Sequence, residues 1–273
     1  MFENLSAGWK IGKAVRKIVY GDKGLLVYPI VAGIVSLLEL IVIFLAFLIP
    51  TGASNAGYVA GLVVFYVVTT FTSTYILVAM LLGFRSYSSG KKIGFTESLS
   101  AASQYTKLIF EWAVFYSILL LIVRAIESRM KGLGGSLLGG AASLGLSVAT
   151  LFAVPVIIDN KVGPIDAMRQ GTEFFIKNFG KSAGGLIYTD LYNLIFILGG
   201  IITAVVGLVL LSVLGIALIM LGLILAAFGI LMNFVTINVF KFMLYEYANG
   251  KKLPSGMSEE LIKQGIKKEK GSS

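Results

Sequence analysis

Two side chains in this sequence stand where ionic chemistry is least expected. Glu39 lies about fourteen residues into an apolar run that begins at Leu25, and Arg124 about sixteen residues into another that begins at Lys107-Leu108. At roughly 1.5 Å per helical residue, both reach the middle of a bilayer. A carboxylate at that depth needs a partner, a proton or water, so a Glu39 to Arg124 ion pair is the expected contact. It would either bolt two parts of the protein together or form a gate or a site for an ion or polar head group. Glu127, one helical turn beyond Arg124, completes this cluster or faces the outer interface. A second pair, Asp190 with Lys241, is expected at the cytoplasmic end of the last two apolar runs, where both charges need compensation.

Other reaction chemistry is hard to assemble from these residues. The chain has no cysteine and no histidine, which removes thiolate nucleophiles, disulfides, the usual zinc ligands and imidazole proton transfer. The glycine-rich stretch 132–140 lacks the lysine and hydroxyl of a phosphate loop. Thr69, Thr70, Thr72, Ser73 and Thr74 cluster in one apolar run, where hydroxyls ordinarily bond their own backbone or a neighbouring helix. The expectation is a protein that is not an enzyme and has no cofactor or metal.

The elements that must position these groups are long and apolar. Hydrophobic residues make up 57% of the chain and charged residues only 14%, far from soluble norms. Six transmembrane helices are expected, at about 25–49, 58–84, 108–127, 136–158, 184–210 and 218–246, inside a transmembrane domain 25–248. A basic amphipathic helix, 1–24, precedes it and a basic tail, 249–273, follows. The first run is too long for a cleaved signal. The stretch 184–248 is almost continuously apolar and holds two or three spans, with Ser212 and Gly215 marking a turn. Gly199, Gly200, Gly207, Gly215, Gly222 and Gly229 form a packing ridge. All lysines and arginines except Arg124, Arg129 and Lys131 fall on one side of this arrangement, so both termini are expected in the cytoplasm. The net charge of +9 then reflects topology and anionic head groups, not nucleic acid.

A short pattern recurs between the apolar pairs: Phe2-Glu3-Asn4-Leu5, Thr96-Glu97-Ser98-Leu99, Ile165-Asp166-Ala167-Met168 and Ser258-Glu259-Glu260-Leu261. The segments Tyr87-Ser88-Ser89-Gly90-Lys91-Lys92 and Tyr247-Ala248-Asn249-Gly250-Lys251-Lys252 also match at an offset of 160, and Asp159-Asn160-Lys161 is a looser third. The fold class expected is all-α, with three hairpin repeats separated by cytoplasmic amphipathic helices. In the first of these helices Leu5, Trp9, Val15 and Ile18 accompany Lys10, Lys13 and Lys17; in the third, Ile165, Met168, Thr172, Phe175 and Phe179 follow helical spacing. Each either lies in the head groups or packs on the bundle. Trp9, Lys10, Lys13, Lys17, Lys91, Lys92, Lys251 and Lys252 are the candidate lipid-interface residues.

Val154-Pro155-Val156, Gly163-Pro164-Ile165-Asp166-Ala167-Met168 and Phe179-Gly180, with Trp112 and Arg124-Ala125-Ile126-Glu127, resemble an uncharacterised family of bacterial and archaeal integral membrane proteins over roughly residues 5–248. That family is distantly similar to the membrane domain of some glycerophosphoryl diester phosphodiesterases. The resemblance implies six helices and a role at the membrane, without a phosphodiesterase active site. The function expected is lipid handling or membrane organisation, with anionic lipids as partners; a solute or ion transporter using Glu39 and Arg124, or a scaffold for a protein complex or homo-oligomer, are the alternatives.

Overall fold

The computed structural model describes residues 2–48, 55–129, 140, 143, 145–210 and 212–251. Among these, all regular secondary structure is helical: α1 Phe2–Gly21, α2 Val27–Ile43, α3 Asn55–Ser88, α4 Phe95–Ala102, α5 Thr106–Arg129, α6 Ala153–Asn160, α7 Pro164–Leu210 and α8 Val213–Ala248. A 3-10 turn, Lys23–Leu26, leads into α2, and α2 widens into a π turn at Phe44–Leu48.

Among the described residues, five segments are long and apolar enough to cross a bilayer: Lys23–Phe47, Ala56–Ser88, Phe95–Ser128, Thr189–Leu210 and Val213–Ala248. A bent pair, Gly145–Asn160 with Pro164–Asn178, makes a sixth if counted as one span. The outward side chains on these helices are apolar, among them Leu38, Val42, Ile202, Val209 and Ile224, a surface too extensive for water and suited to lipid. The chain is therefore all-α and built as a polytopic helical protein.

The fourth expected span, 136–158, differs from expectation in its described part. Residues 136–139 lie outside the described residues, and the helix from Gly145 is interrupted by a turn at 151–152 before α6. It then bends by 114° into α7. The third amphipathic segment is not a separate helix either. It is the first part of α7, which runs unbroken into the fifth span, with no proline after Pro164 to stop it.

The chain divides into two compact units, Met1–Pro29 with Ser88–Gly90 and Asn178–Ser273, and Ile30–Tyr87 with Lys91–Lys177. In the first, α7 and α8 form a hairpin, so 184–248 holds two helices. Ser212 caps α8, its hydroxyl accepting from the Gly215 N–H at 3.2 Å. The seam is built of glycine at heptad spacing. A Cβ on Gly222 would lie 2.4 Å from the Gly200 carbonyl oxygen and 2.5 Å from the Ala204 nitrogen, and one on Gly207 2.5 Å from the Gly215 oxygen. Only residues without a side chain let two backbones approach so closely. Gly199 is the exception to the expected ridge, with nothing within 4 Å of its Cβ position.

In the second unit, α7 begins by packing back on 152–153. A Cβ on Gly171 would touch the backbone of Phe152 and Ala153 at 3.1 Å, and Phe152 meets Phe174 edge to face at 4.7 Å. The buried stripe is therefore Ala167, Gly171 and Phe175, whereas Ile165 is exposed. Of the expected stripe, Phe175 is buried and Met168 and Thr172 are half-buried, the Thr172 hydroxyl donating to the Ala149 carbonyl at 3.1 Å; Ile165 alone departs from it, and Phe179 lies outside the residues whose side chains are described.

Candidate functional site

Glu39, half-buried on α2, belongs to the second unit. Its Oε1 accepts a 2.5 Å hydrogen bond from the Thr72 hydroxyl on α3, while its buried Oε2 and the buried Thr69 hydroxyl have no partner. Ser117, fully buried on α5, donates to Thr70 at 3.3 Å. A ladder of α3 hydroxyls thus faces both α2 and α5, and packing alone leaves two of its polar atoms unsatisfied.

Arg124 is not part of this arrangement. It pairs with Glu127 at 3.1 Å on the exposed face of α5, and Ser143 donates to the other Glu127 oxygen at 2.9 Å. The expected Glu39 to Arg124 contact is therefore corrected. Glu127 lies within reach of Arg124 along its own helix, whereas α3 supplies Glu39 with a hydroxyl. The Arg124 to Glu127 half of the cluster is present, on the surface.

Beyond Glu39 the same α2 and α3 faces continue into an open apolar groove of about 330 Å³, lined by Leu40, Ile43, Phe44, Phe47, Tyr58, Gly61, Leu62 and Phe65. Ile43 stands one turn from Glu39 and Phe65 one turn from Thr69, so Glu39 and Thr69 lie on the helix faces that line the groove, one turn beyond its walls.

In the first unit, Asp190 and Lys241 do not form a direct ion pair. Asp190 accepts from Asn233 at 3.3 Å, and Asn233 in turn accepts from the buried Asn193 at 3.1 Å. Lys241, half-buried, sits within the electrostatic reach of Asp190. The two charges share an environment while amides mediate the bonding.

α1 presents two faces. Val15 and Val19 are buried, Tyr20 meets Phe228 of α8 edge to face at 6.4 Å, and the Arg16 guanidinium stacks over the Tyr192 ring of α7 at 3.7 Å. Trp9, Lys10, Lys13 and Lys17 are exposed on the other side. Val15 thus packs on protein instead of facing lipid, and Leu5 lies outside the residues whose side chains are described. Lys91, Lys92 and Lys251 are exposed where α3 and α8 end, whereas Lys252 lies outside the described residues.

Those two helix ends share one geometry. Gly90 and Gly250 adopt φ of +81° and +76°, and the Lys91 and Lys251 N–H groups return to the carbonyls of Ser86 and Glu246 at 3.0 and 2.9 Å. This is the left-handed glycine stop that satisfies terminal carbonyls. Lys161 ends α6 with a φ of +51°. Of the four recurrent segments, the second and third begin α4 and α7 alike: Ser98 bonds back to Gly94 at 3.0 Å and Ala167 to Gly163 at 2.9 Å.

One polar cluster escaped the sequence reading. Arg85, at the end of α3, forms a salt bridge with Asp159 of α6, a residue only 10% exposed. Beside it the Tyr105 hydroxyl donates to the Ile158 carbonyl at 3.1 Å and its ring underlies the Lys161 ammonium. The acid preceding the Lys161 stop was a signal for it, but nothing local pointed 74 residues back to Arg85.

Among the described residues no group of three acidic, cysteine or histidine side chains is placed to hold a metal ion. Comparison with protein-family models, curated proteins and solved structures finds no match. The functional reading therefore rests on the residues themselves.

Proposed function

We propose that this chain is a non-enzymatic protein of the cell membrane, both termini cytoplasmic, that organises anionic lipid at the inner surface. Membership in the bacterial and archaeal family that the sequence resembles is part of the proposal. So is an origin from three hairpin repeats, supported by the matching stops at Gly90 and Gly250.

One observation carries the lipid reading: α1 spends its Val15 and Val19 face on the protein and keeps Trp9, Lys10, Lys13 and Lys17 outward. An indole prefers the head-group region, and each lysine near an anionic surface contributes about 1 kcal/mol. Because Arg16 and Tyr20 tie α1 to α7 and α8, lipid bound there also bears on the hairpin.

The protein has two tryptophans, and Trp112 is buried, so Trp112→Phe leaves Trp9 as sole reporter. Reconstituted with brominated lipids, this variant should be quenched more by anionic than by zwitterionic lipid. Replacing Lys10, Lys13 and Lys17 with Gln should abolish the difference. Equal quenching by both lipids in the lysine-containing protein would refute the reading.

A further inference from the structure

We propose that Glu39 and the aromatic groove beside it form a binding site for a lipophilic organic cation, meaning one positive centre carried on an apolar or aromatic body. The site belongs to the second unit and does not depend on the α1 lipid reading.

The argument begins with what Glu39 lacks. Its carboxylate has one neutral donor, Thr72, and no lysine or arginine pairs with it among the described residues. Oε2 is buried and unpartnered, and so is the Thr69 hydroxyl. Inside a bilayer such a carboxylate draws in positive charge, a proton or water.

The surroundings favour one kind of occupant. One helical turn from Glu39, on the same face of α2, begins a groove whose walls are aliphatic and aromatic, with Phe44, Phe47, Tyr58 and Phe65 among them. A hydrated inorganic ion gains nothing from these walls. An apolar body does, and aromatic faces also attract a desolvated cation. Tyr58 and Phe44 are about half exposed, so such a body would enter sideways from the lipid and need not be fully enclosed. The groove persists because α2 and α3 are held together at Glu39 and Thr72 and at the close contact of Gly61 with Phe47, with larger side chains spacing them between.

The test uses the whole protein in lipid nanodiscs and a pair of probes of like shape and opposite charge, tetraphenylphosphonium and tetraphenylborate. After subtraction of empty discs, the wild type should bind the phosphonium saturably and the borate far more weakly. Decyltrimethylammonium should compete. Glu39→Gln, monodisperse by size exclusion, should bind the phosphonium about tenfold more weakly, the worth of a charge-assisted contact. Phe65→Ala should weaken both cations. No saturable phosphonium binding, equal binding of the borate, or unchanged affinity in folded Glu39→Gln would each overturn the proposal; equal binding would identify the groove as an ordinary acyl-chain surface. Should Glu39→Gln fail to assemble, the cation and anion comparison on the wild type still decides.

Discussion

The α7–α8 hairpin and the α2–α3 hairpin are built from similar apolar composition and meet in opposite ways. In the first, glycines at heptad spacing bring backbone against backbone, leaving no room for a single extra carbon. In the second, Phe44, Phe47, Tyr58 and Phe65 hold the helices apart around a groove, and contact is made by side chains: Thr72 to Glu39, and Phe47 over Gly61. The difference teaches that seam residues, not overall hydropathy, decide whether a membrane hairpin is a strut or a container. Lipid tails are as apolar as leucine, so hairpins do not close through the hydrophobic effect. They close where small residues permit dispersion contact between main chains.

The same substitution in both seams tests this directly. Gly222→Ala puts a methyl group 2.4 Å from one backbone atom and 2.5 Å from another, and neither can yield without moving a helix. A loss of about 3 kcal/mol is expected, at the upper end of overpacking costs, read as a lower midpoint of unfolding in detergent. Gly61→Ala meets side-chain atoms alone, the Phe47 Cβ at 3.1 Å and the Ile43 Cγ2 at 4.0 Å, and should cost less than about 1 kcal/mol because a shift of a few tenths of an ångström relieves the contact. Gly199→Ala, with open space around it, should be neutral or stabilising by up to about 1 kcal/mol through helix propensity. Equal losses at Gly222 and Gly61 would end the distinction.

The second unit relies on polar ties where the first relies on glycine. Arg85 with Asp159 is the strongest candidate, supported by the Tyr75 hydroxyl on the Leu99 carbonyl at 3.0 Å and Tyr105 on Ile158. Arg85→Ala leaves a carboxylate only 10% exposed without its cation. The expected cost is about 2 kcal/mol, most of it the stranded charge. Asp159→Asn in the same chain should return part of the loss, and a double-mutant cycle showing additivity would instead make the contact incidental.

How far the sequence foretold this molecule depends on the range of the signal. The apolar runs other than 136–158 form helices where expected, and Ser212 with Gly215 marked the turn that caps α8 because capping chemistry is local. The glycine ridge was legible from its heptad period, although only the fold separates Gly200, which faces α8, from Gly199, which does not. Asp190 and Lys241 share an environment but not the expected pair, the Asp190 carboxylate accepting from Asn233 instead. In the third amphipathic stripe Phe175 is buried as expected and Ile165 is not, while Ala167 and Gly171 pack by being small, which a reading of hydrophobicity passes over. Arg85 with Asp159 and Glu39 with Thr72 depend on how separate helices meet, which no window along the chain contains. For Glu39, depth and the need for a partner were readable, while the partner was not.

The smallest expected effect concerns that partner. Arg124 pairs with Glu127 on an exposed helix face with an i, i+3 spacing, a contact worth about 0.3–0.5 kcal/mol. Arg124→Ala should therefore barely move the unfolding midpoint and should leave Glu39 chemistry unchanged. The absence of native cysteine makes the point sharper. Glu39→Cys with Thr72→Cys should be joined by a short bifunctional thiol reagent that makes up for the shorter side chain, since the native glutamate reaches Thr72 at 2.5 Å. Glu39→Cys with Arg124→Cys should not. The opposite pattern would restore an ionic bolt between α2 and α5, fill the vacancy beside Glu39 with a resident cation, and turn the α2–α3 seam from a container back into a strut.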